Sequence, residues 1–321
     1  MTAIYSALYV PFGFLFRIFF NFIPDYGIAL FLFALFFRLI LVPTSVKQQR
    51  GSAKTTRMQP KIKRIQQKYA HIEPANERQA KVQAETQELY QREGYSPMAG
   101  GCLPLLIQMP ILIGIYGIVR QPLTYVLQIS SEAIDALSEA AASLGFISDS
   151  TLYAETGIIT NIEAIAENFP NLVSQYSDVF ATIGDFGYKI FGINLGDIPS
   201  TDTIWNFFSA TNAQRMLLLI PLLSFLTSMS TALLTQRRQK KANPNAENQQ
   251  MMGCMTLTMP LMSLWFTFQF PAGMGMYWIL SNSFAFIQTF VLGKIYAPGK
   301  VMARDMVEET IYRRSYEKTK K

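Results

Sequence analysis

The sequence predicts an all-α membrane protein: a five-transmembrane-helix bundle with a cytoplasmic helical hairpin and an N-terminal interfacial amphipathic helix. Three observations predict it. Half of the 321 residues are hydrophobic, 24 are Phe, and only 16% are charged, against about 25% in soluble domains. Five stretches carry roughly the 20 mostly apolar residues that a helix needs to cross the hydrocarbon core. The sign of the charge alternates between those stretches, as it does when Lys and Arg are retained on the cytoplasmic side.

Taken in order, residues 1–25 are apolar but interrupted by Pro11 and Arg17. The start, residues 1–9, carries no charged side chain and no convincing cleavage site follows, so a signal peptide is not expected. An aromatic-rich helix lying in the interface is expected instead of a sixth span. The first span is 26–43, ending at Pro43 and carrying one charge, Arg38. Residues 44–101 form a basic insert in which 54–93 read as a helical hairpin. Met58, Ile62, Ile65 and Tyr69 recur on one helical face, His71–Asn76 with Pro74 makes the break, and a second helix carries Val82, Thr86 and Leu89. The second span is 102–120 and the third 214–235, with the acidic region 121–213 between them. The fourth, 251–270, follows a short loop at 236–250. Pro271 and Gly273 then turn the chain tightly into the fifth, 272–293, and a basic tail occupies 294–321.

Charge sets the sidedness. Residues 44–100 hold 11 Lys and Arg against 5 Asp and Glu, and 121–213 hold 1 against 11. In 236–250 the count is 4 against 1, and in 294–321 it is 8 against 4. Segments 44–101, 236–250 and the tail are therefore expected in the cytoplasm, with 121–213 and the N-terminus outside. The basic hairpin reads either as a solvated arm against an anionic leaflet or as a docking arm for a ribosome, a targeting factor or a client. Specific nucleic-acid binding is not expected, because the aromatic residues that stack on bases are not interleaved with its charges.

Several polar groups fall inside the spans. A charge there costs ~2.5–3.5 kcal/mol on insertion scales and usually faces a cavity. Arg38 fits that reading, but it also lies only ~6 Å along a helix from the cytoplasmic end, within snorkelling reach. Thr227, Thr231 and Thr235 form a hydroxyl stripe on the third span, which reads either as a small-residue helix contact or as the wall of a polar hollow. Trp278 and Asn282, with Tyr277, Ser281 and Gln288, fall in the fifth span, and Gln108 in the second. Met251, Met255, Met259 and Met262 recur along one face of the fourth span. Flexible thioethers of this kind suit either an adaptable apolar binding surface or ordinary packing.

Other function classes find little support. One His and two Cys are too few for most zinc sites or for a four-Cys iron–sulfur cluster, and Cys102 and Cys254 lie in apolar runs. No phosphate-binding loop occurs, no carboxylate in a span offers a proton relay, and no inverted repeat of the transporter kind is visible. No catalytic residue, metal or other cofactor is expected.

Four motifs then point to a family. Phe37-Arg38-Leu39-Ile40-Leu41-Val42-Pro43, with Met58-Gln59-Pro60 in the basic stretch that follows, resembles the first core span of YidC-type membrane protein insertases. Tyr95-Ser96-Pro97 and then Gly101-Cys102-Leu103-Pro104 through Gln108-Met109-Pro110 resemble the second-span signature. Pro271-Ala272-Gly273-Met274-Gly275-Met276-Tyr277-Trp278, then Ser281-Asn282 and Gln288, resemble the last span. Phe191-Gly192-Ile193-Asn194-Leu195 is similar to the segment before the third. The resemblance covers about 1–120 and 190–300. It departs at Ser96, where Asn is common, and in the outer loop, about 125–190, which is longer and more acidic than a short Gram-positive form leads one to expect.

The resemblance implies a five-helix core around a hydrophilic groove, open to the cytoplasm and to lipid and sealed outside, with Arg38 as the groove's charge. The groove residues expected to meet a client are Arg38, Gln108, Thr227, Thr231, Thr235, Tyr277, Trp278 and Asn282. The implied activity is insertion of membrane proteins into the bacterial plasma membrane without a nucleotide. The partners are nascent membrane proteins and the bilayer, with a ribosome, signal recognition particle components and a Sec translocon as further candidates. The competing classes are a channel or secondary transporter, and an assembly chaperone without insertion activity.

Overall fold

The computed structural model describes residues 2–94, 103–147, 153–242, 258, 260–297 and, in the tail, 299–301, 303, 304, 306–308, 310 and 311. The described residues are almost wholly helical, with one two-stranded hairpin. The chain divides into two compact units. One comprises Met1–Leu39, Ile107–Ser230 and Leu257–Phe284, and the other Ile40–Leu106, Thr231–Thr256 and Ala285–Lys321.

In the first unit, helix α1 (Thr2–Phe22) lies against helix α5 (Leu103–Arg120). The contact depends on two glycines one turn apart. A Cβ at Gly114 would run into the Phe12 ring, and one at Gly117 into the Tyr9 ring. Small residues at such positions let helices approach closely where lipid supplies no hydrophobic drive. Tyr9 and Phe16 are buried on this face, whereas Val10, Phe14, Ile18 and Phe22 form an exposed apolar stripe.

Helix α2 (Tyr26–Ile40) begins under an aromatic cluster. Tyr26 meets Phe16 at 5.0 Å, Tyr188 at 4.9 Å and Phe186 at 5.5 Å between ring centroids, and the last two contacts are near edge-on, as ring quadrupoles favour. Phe186 and Tyr188 belong to a short stretch, 186–197, that includes the hairpin β1 (Lys189–Ile190) and β2 (Ile193–Asn194). That stretch touches the ends of five helices. The Tyr188 hydroxyl donates to the Val119 carbonyl at the end of α5 (3.0 Å). Ile193 packs with Leu217 of α12 (Asn212–Leu217), Ile220 of α13 (Leu219–Ala242) and Ala272 of α14 (Ala272–Ile295). The first amides of α14 are satisfied here too: Ala272 N donates to Asp197 O (2.8 Å) and Gly273 N to Leu195 O (2.9 Å), which answers the orphan donors of a helix start. The starts of α2, α13 and α14 and the end of α5 therefore meet at one end of the unit. Serine hydroxyls bridge α13 to the 260–267 helix, with Ser224 and Ser263 2.8 Å apart.

Between α5 and β1 the chain makes a π-helical turn (Leu123–Leu127) and helices α6 (Ser131–Ser143), α7 (Ala154–Thr160), α8 (Ile162–Asn168), α9 (Pro170–Gln175) and α10 (Ser177–Gly184). Leu137, Ile158 and Ile165 are its buried centre. Glu155 is buried as well and accepts from Thr124 N (3.0 Å) and Thr124 Oγ1 (2.6 Å), fastening the π-turn to α7. Burial pushes the Glu155 carboxyl above the usual carboxylate range, although the Thr124 bonds pull the other way. Helix α11 (Asp202–Trp205) leads to α12.

In the second unit, helix α3 (Val42–Lys68) pairs with α4 (Ala75–Arg92). Met58, Ile62 and Ile65 are buried on α3, as their spacing predicts, but α4 buries no residue. Lys68 pairs with Glu85 at 2.9 Å and Lys61 with Glu93, all four exposed or half-exposed. Arg238 of α13 donates to the Thr289 carbonyl and to the Phe290 carbonyl (3.0 Å) of α14. Gly293 leaves the space its guanidinium fills, and Arg50 stacks over Tyr296 at 5.3 Å.

Three boundaries differ from expectation. The first apolar helix stops at Ile40 and breaks at Leu41, and the next begins at Val42, not near 54. Pro43 is why: in the first turn its missing N–H costs nothing and its fixed φ suits a helix, so the next helix starts here. Helix α13 continues seven residues past 235, to Ala242. Gln, Arg and Lys propagate a helix well, and its basic end complements the dipole. Among the described residues, α12 running on through Leu218 into α13, Asn212–Arg238, is the one continuous helical stretch long and apolar enough to cross a membrane, and α2 joined to 42–51 qualifies as a broken span. Met251, Met255 and Met259, and the Tyr95-Ser96-Pro97 and Gly101-Cys102 parts of the second-span motif, lie outside the described residues.

Candidate functional site

Six of the eight expected groove residues belong to the first unit, and three of these form a connected polar line through Ser281. Arg38 sits in the last turn of α2. Its Nη2 donates to Ser281 Oγ on α14 at 3.0 Å. One turn earlier on α14, the Tyr277 hydroxyl accepts from Gln108 Nε2 of α5 at 3.2 Å. Tyr277 and Ser281 are four residues apart and so share a face, and both are buried. Three helices thus present Arg38, Ser281, Tyr277 and Gln108 side by side.

The guanidinium turns toward the neighbouring helix. It is half-buried, and among the described residues no carboxylate pairs with it. A guanidinium has five donors and no acceptor, and Ser281 takes one. The remaining donors call for water or further acceptors.

The remaining groove candidates lie differently. Thr227 donates to its own helix, to Leu223 O (2.8 Å) and Ser224 O (3.1 Å). Thr235 does the same to Thr231 O (2.9 Å). Back-bonding of this kind lets hydroxyls ride on an apolar helix at little cost. Thr231 and Thr235 belong to the second unit. Trp278 packs against rings near the end of the fourth expected span, Phe266 at 6.0 Å and Phe270 at 5.9 Å. Asn282 is half-buried beside Ser281. Ser281, which the groove set omits, is the residue that holds Arg38. Its sequence signals are its place four residues after Tyr277 and its part in the Ser281-Asn282 motif of the last span.

The chain matches the family described as 60Kd inner membrane protein over residues 18–299. It is 47% identical over 98 residues to the membrane protein insertase YidC of Oceanobacillus iheyensis, covering 30% of this chain and 38% of that one. Thus the shared stretch spans little more than a third of that relative's own length. Longer matches extend to the membrane protein insertase MisCA of Bacillus subtilis, 24% identical over 269 residues, covering 84% of this chain and 70% of that protein. They extend also to the membrane protein insertase YidC 1 of Bacillus anthracis, 26% identical over 297 residues, covering 92% and 83%. With the family match running through nearly every element described above, the chain belongs to the 60Kd inner membrane protein family.

Proposed function

We propose that this protein is a membrane protein insertase of the bacterial plasma membrane, acting on nascent membrane proteins. The relatives just named are insertases by name. The observation that carries the mechanism is Arg38, held by Ser281 beside Tyr277 and Gln108 and paired with no carboxylate among the described residues. A client's short polar tail enters beside this guanidinium, and its carboxylates interact there more strongly than in bulk water because the surroundings have low dielectric. The polar path across the membrane is thereby shortened. The client's apolar helix then leaves along the third and fifth spans into lipid, driven by burial of apolar area at ~25 cal/mol per Å². A 20-residue apolar helix supplies enough free energy without a nucleotide, and the membrane potential favours outward movement of acidic tails.

The arrangement we infer has five spans at 26–43, 102–120, 214–235, 251–270 and 272–293. The N-terminus and 121–213 lie outside, and 44–101, 236–250 and 294–321 in the cytoplasm. Support comes from the charge alternation and from the 186–197 stretch, which ties the starts of α2, α13 and α14 to the end of α5, as alternating spans require. Residues 1–25 lie in the outer interface, packed on Gly114 and Gly117. The basic hairpin and tail are the surfaces offered to a ribosome, to signal recognition particle components and to a Sec translocon. Thr227, Thr231, Thr235, Trp278 and Asn282 line the client's exit.

The test is insertion of single-span clients with acidic tails by Arg38→Ala and Arg38→Lys. Alanine is expected to abolish insertion and lysine to retain most of it. Insertion by Arg38→Ala at the wild-type rate removes the guanidinium from the mechanism.

A further inference from the structure

The acidic region before α12 ends in a loop whose aromatic residues are turned outward. Trp205 is 86% exposed and Phe208 96%, with Ile204 and Phe207 exposed beside them. Residues 204–211 carry no charge. The loop is not slack. Arg215, one turn into α12, donates from Nε to Phe207 O (2.9 Å) and from Nη2 to Phe208 O (3.1 Å), and its guanidinium lies 5.5 Å from the Phe207 ring. A capping box follows: Gln214 N donates to Thr211 Oγ1 (3.3 Å), and Thr211 N to Gln214 Oε1 (2.9 Å). An arginine and a helix cap thus hold the loop in a shape that, in water, buries none of its large rings.

A second outlier lies at the same end of the unit. Phe191, at the tip of the β1–β2 hairpin, is 88% exposed and has φ +52°. That left-handed backbone disfavours a bulky side chain, and an outlier of this kind argues for a role. Two residues later, Ile193 packs on Leu217 of α12.

We propose that Trp205, Phe207, Phe208 and Phe191 sit in the outer leaflet at the headgroup–acyl boundary, as a fixed anchor for the outer end of the third span. The inference rests on the reading that 212–238 crosses the bilayer with its start outward. The occupant is lipid because the loop continues directly into that helix. Twenty-seven helical residues reach roughly 40 Å, against ~30 Å of hydrocarbon, so the helix start falls at headgroup depth, together with the 207–208 turn that Arg215 ties to it and Trp205 just before that turn. Trp and Phe without charge are the composition that partitions there. The acidic outer region therefore does not stand clear of the membrane throughout. It enters the leaflet at these two points and sets the depth of the third span.

The chain has three Trp, at 205, 265 and 278, so single-Trp variants report each position. The full-length chain carrying Trp265→Phe and Trp278→Phe, reconstituted in phosphatidylcholine–phosphatidylglycerol vesicles, is expected to show short-wavelength Trp205 emission. Lipids brominated near the carbonyl should quench it more than lipids brominated near the chain end, and aqueous iodide should quench it little. Emission typical of water, with iodide quenching and no bromine quenching, overturns the proposal. So does protection from both quenchers, which assigns the patch to a protein partner or a second copy. A companion variant retaining only Trp265 separates the two levels. If Trp265 is quenched by brominated lipid and Trp205 is not, the anchor fails and the span stands; if neither is quenched, the membrane reading itself fails. Should the double replacement not fold, a nitroxide on Phe208→Cys, with Cys102 and Cys254 replaced by Ala, gives the same decision. Greater accessibility to oxygen than to a water-soluble nickel chelate supports the anchor, and the reverse overturns it.

Discussion

The acidic region after α5 and the basic hairpin of α3 and α4 are both helical and both rich in one sign of charge, yet they are held together by different physics. Residues 121–213 hold 11 acidic side chains, but among the described residues no ion pair secures them. Buried rings, the Tyr188–Val119 bond and the Glu155–Thr124 bonds do so instead. In the hairpin, Met58, Ile62 and Ile65 are the buried residues, α4 contributes none, and exposed ion pairs supply the rest. Exposed pairs contribute little and are screened by salt. The hairpin therefore lies at the low-stability end of the molecule, where elements that move on binding are drawn. The acidic region is built to keep its shape.

The sharpest way to break this contrast is to empty its better-packed side. Phe186→Ala removes a fully buried ring that touches Phe20, Tyr26 and Tyr188. It is expected to cost about 3–5 kcal/mol, read as a lowered unfolding midpoint in mild detergent. Tyr188→Phe keeps the ring and deletes only the bond to Val119, so about 1 kcal/mol is expected. Equal losses from the two substitutions would mean that the hydroxyl, and not the ring cluster, holds this region. Met58→Ala tests the other side. The loss is expected in the lower part of the 2–5 kcal/mol range for such truncations, because the site can collapse around a single stripe. It should appear as faster proteolysis within 42–92, while the midpoint reported by the acidic region stays unchanged.

These partnerships were only partly open to reading from residues. Hydropathy and charge place apolar helices close to where they lie, and the spacing of Met58, Ile62 and Ile65 identifies their buried face. Periodicity names a face but not its partner. Arg38 stands out in any reading of the first span, yet its acceptor is 243 residues away. The threonines at 227 and 235 look like a polar wall, but each satisfies its hydroxyl on its own helix, which spacing cannot distinguish from bonding outward. Pro43 follows an apolar run and so reads as a stop, whereas its position in a first turn makes it a helix start. The acidic region offers no long periodic signal, since its α-helices between 131 and 205 are four to thirteen residues long and their order depends on tertiary burial.

Acid titration separates the two regions by sign. Burial raises the Glu155 carboxyl above its ordinary value, so the folded state binds this proton more tightly than the unfolded chain. Its stabilising contribution is complete below the ordinary carboxylate range and is lost as pH rises through the raised folded value. Glu155→Gln removes that dependence. Relative to this variant, the wild type is expected to gain thermal stability as pH falls from 7 to 5, measured as the difference in Tm at each pH. A difference that stays flat, or that shrinks on acidification, would show that the carboxylate is held ionised by Thr124.

Glu85 runs the opposite way and gives the smallest effect. Its bond to Lys68 lowers its pKa, and the same bond raises that of Lys68. The Glu85 contribution is present above its ordinary value and fades as pH falls through the lowered one; that of Lys68 is present below its ordinary value and fades as pH rises through the raised one. Both groups are solvent-exposed, so salt screens the pair within a Debye length of about 8 Å at physiological ionic strength. Glu85→Gln is therefore expected to speed amide exchange in α4 at low ionic strength and neutral pH, and to leave it unchanged in molar salt. Persistence of the effect in molar salt would mean that Glu85 acts through packing, and the hairpin would then resemble the acidic region more than its sequence of exposed charges implies.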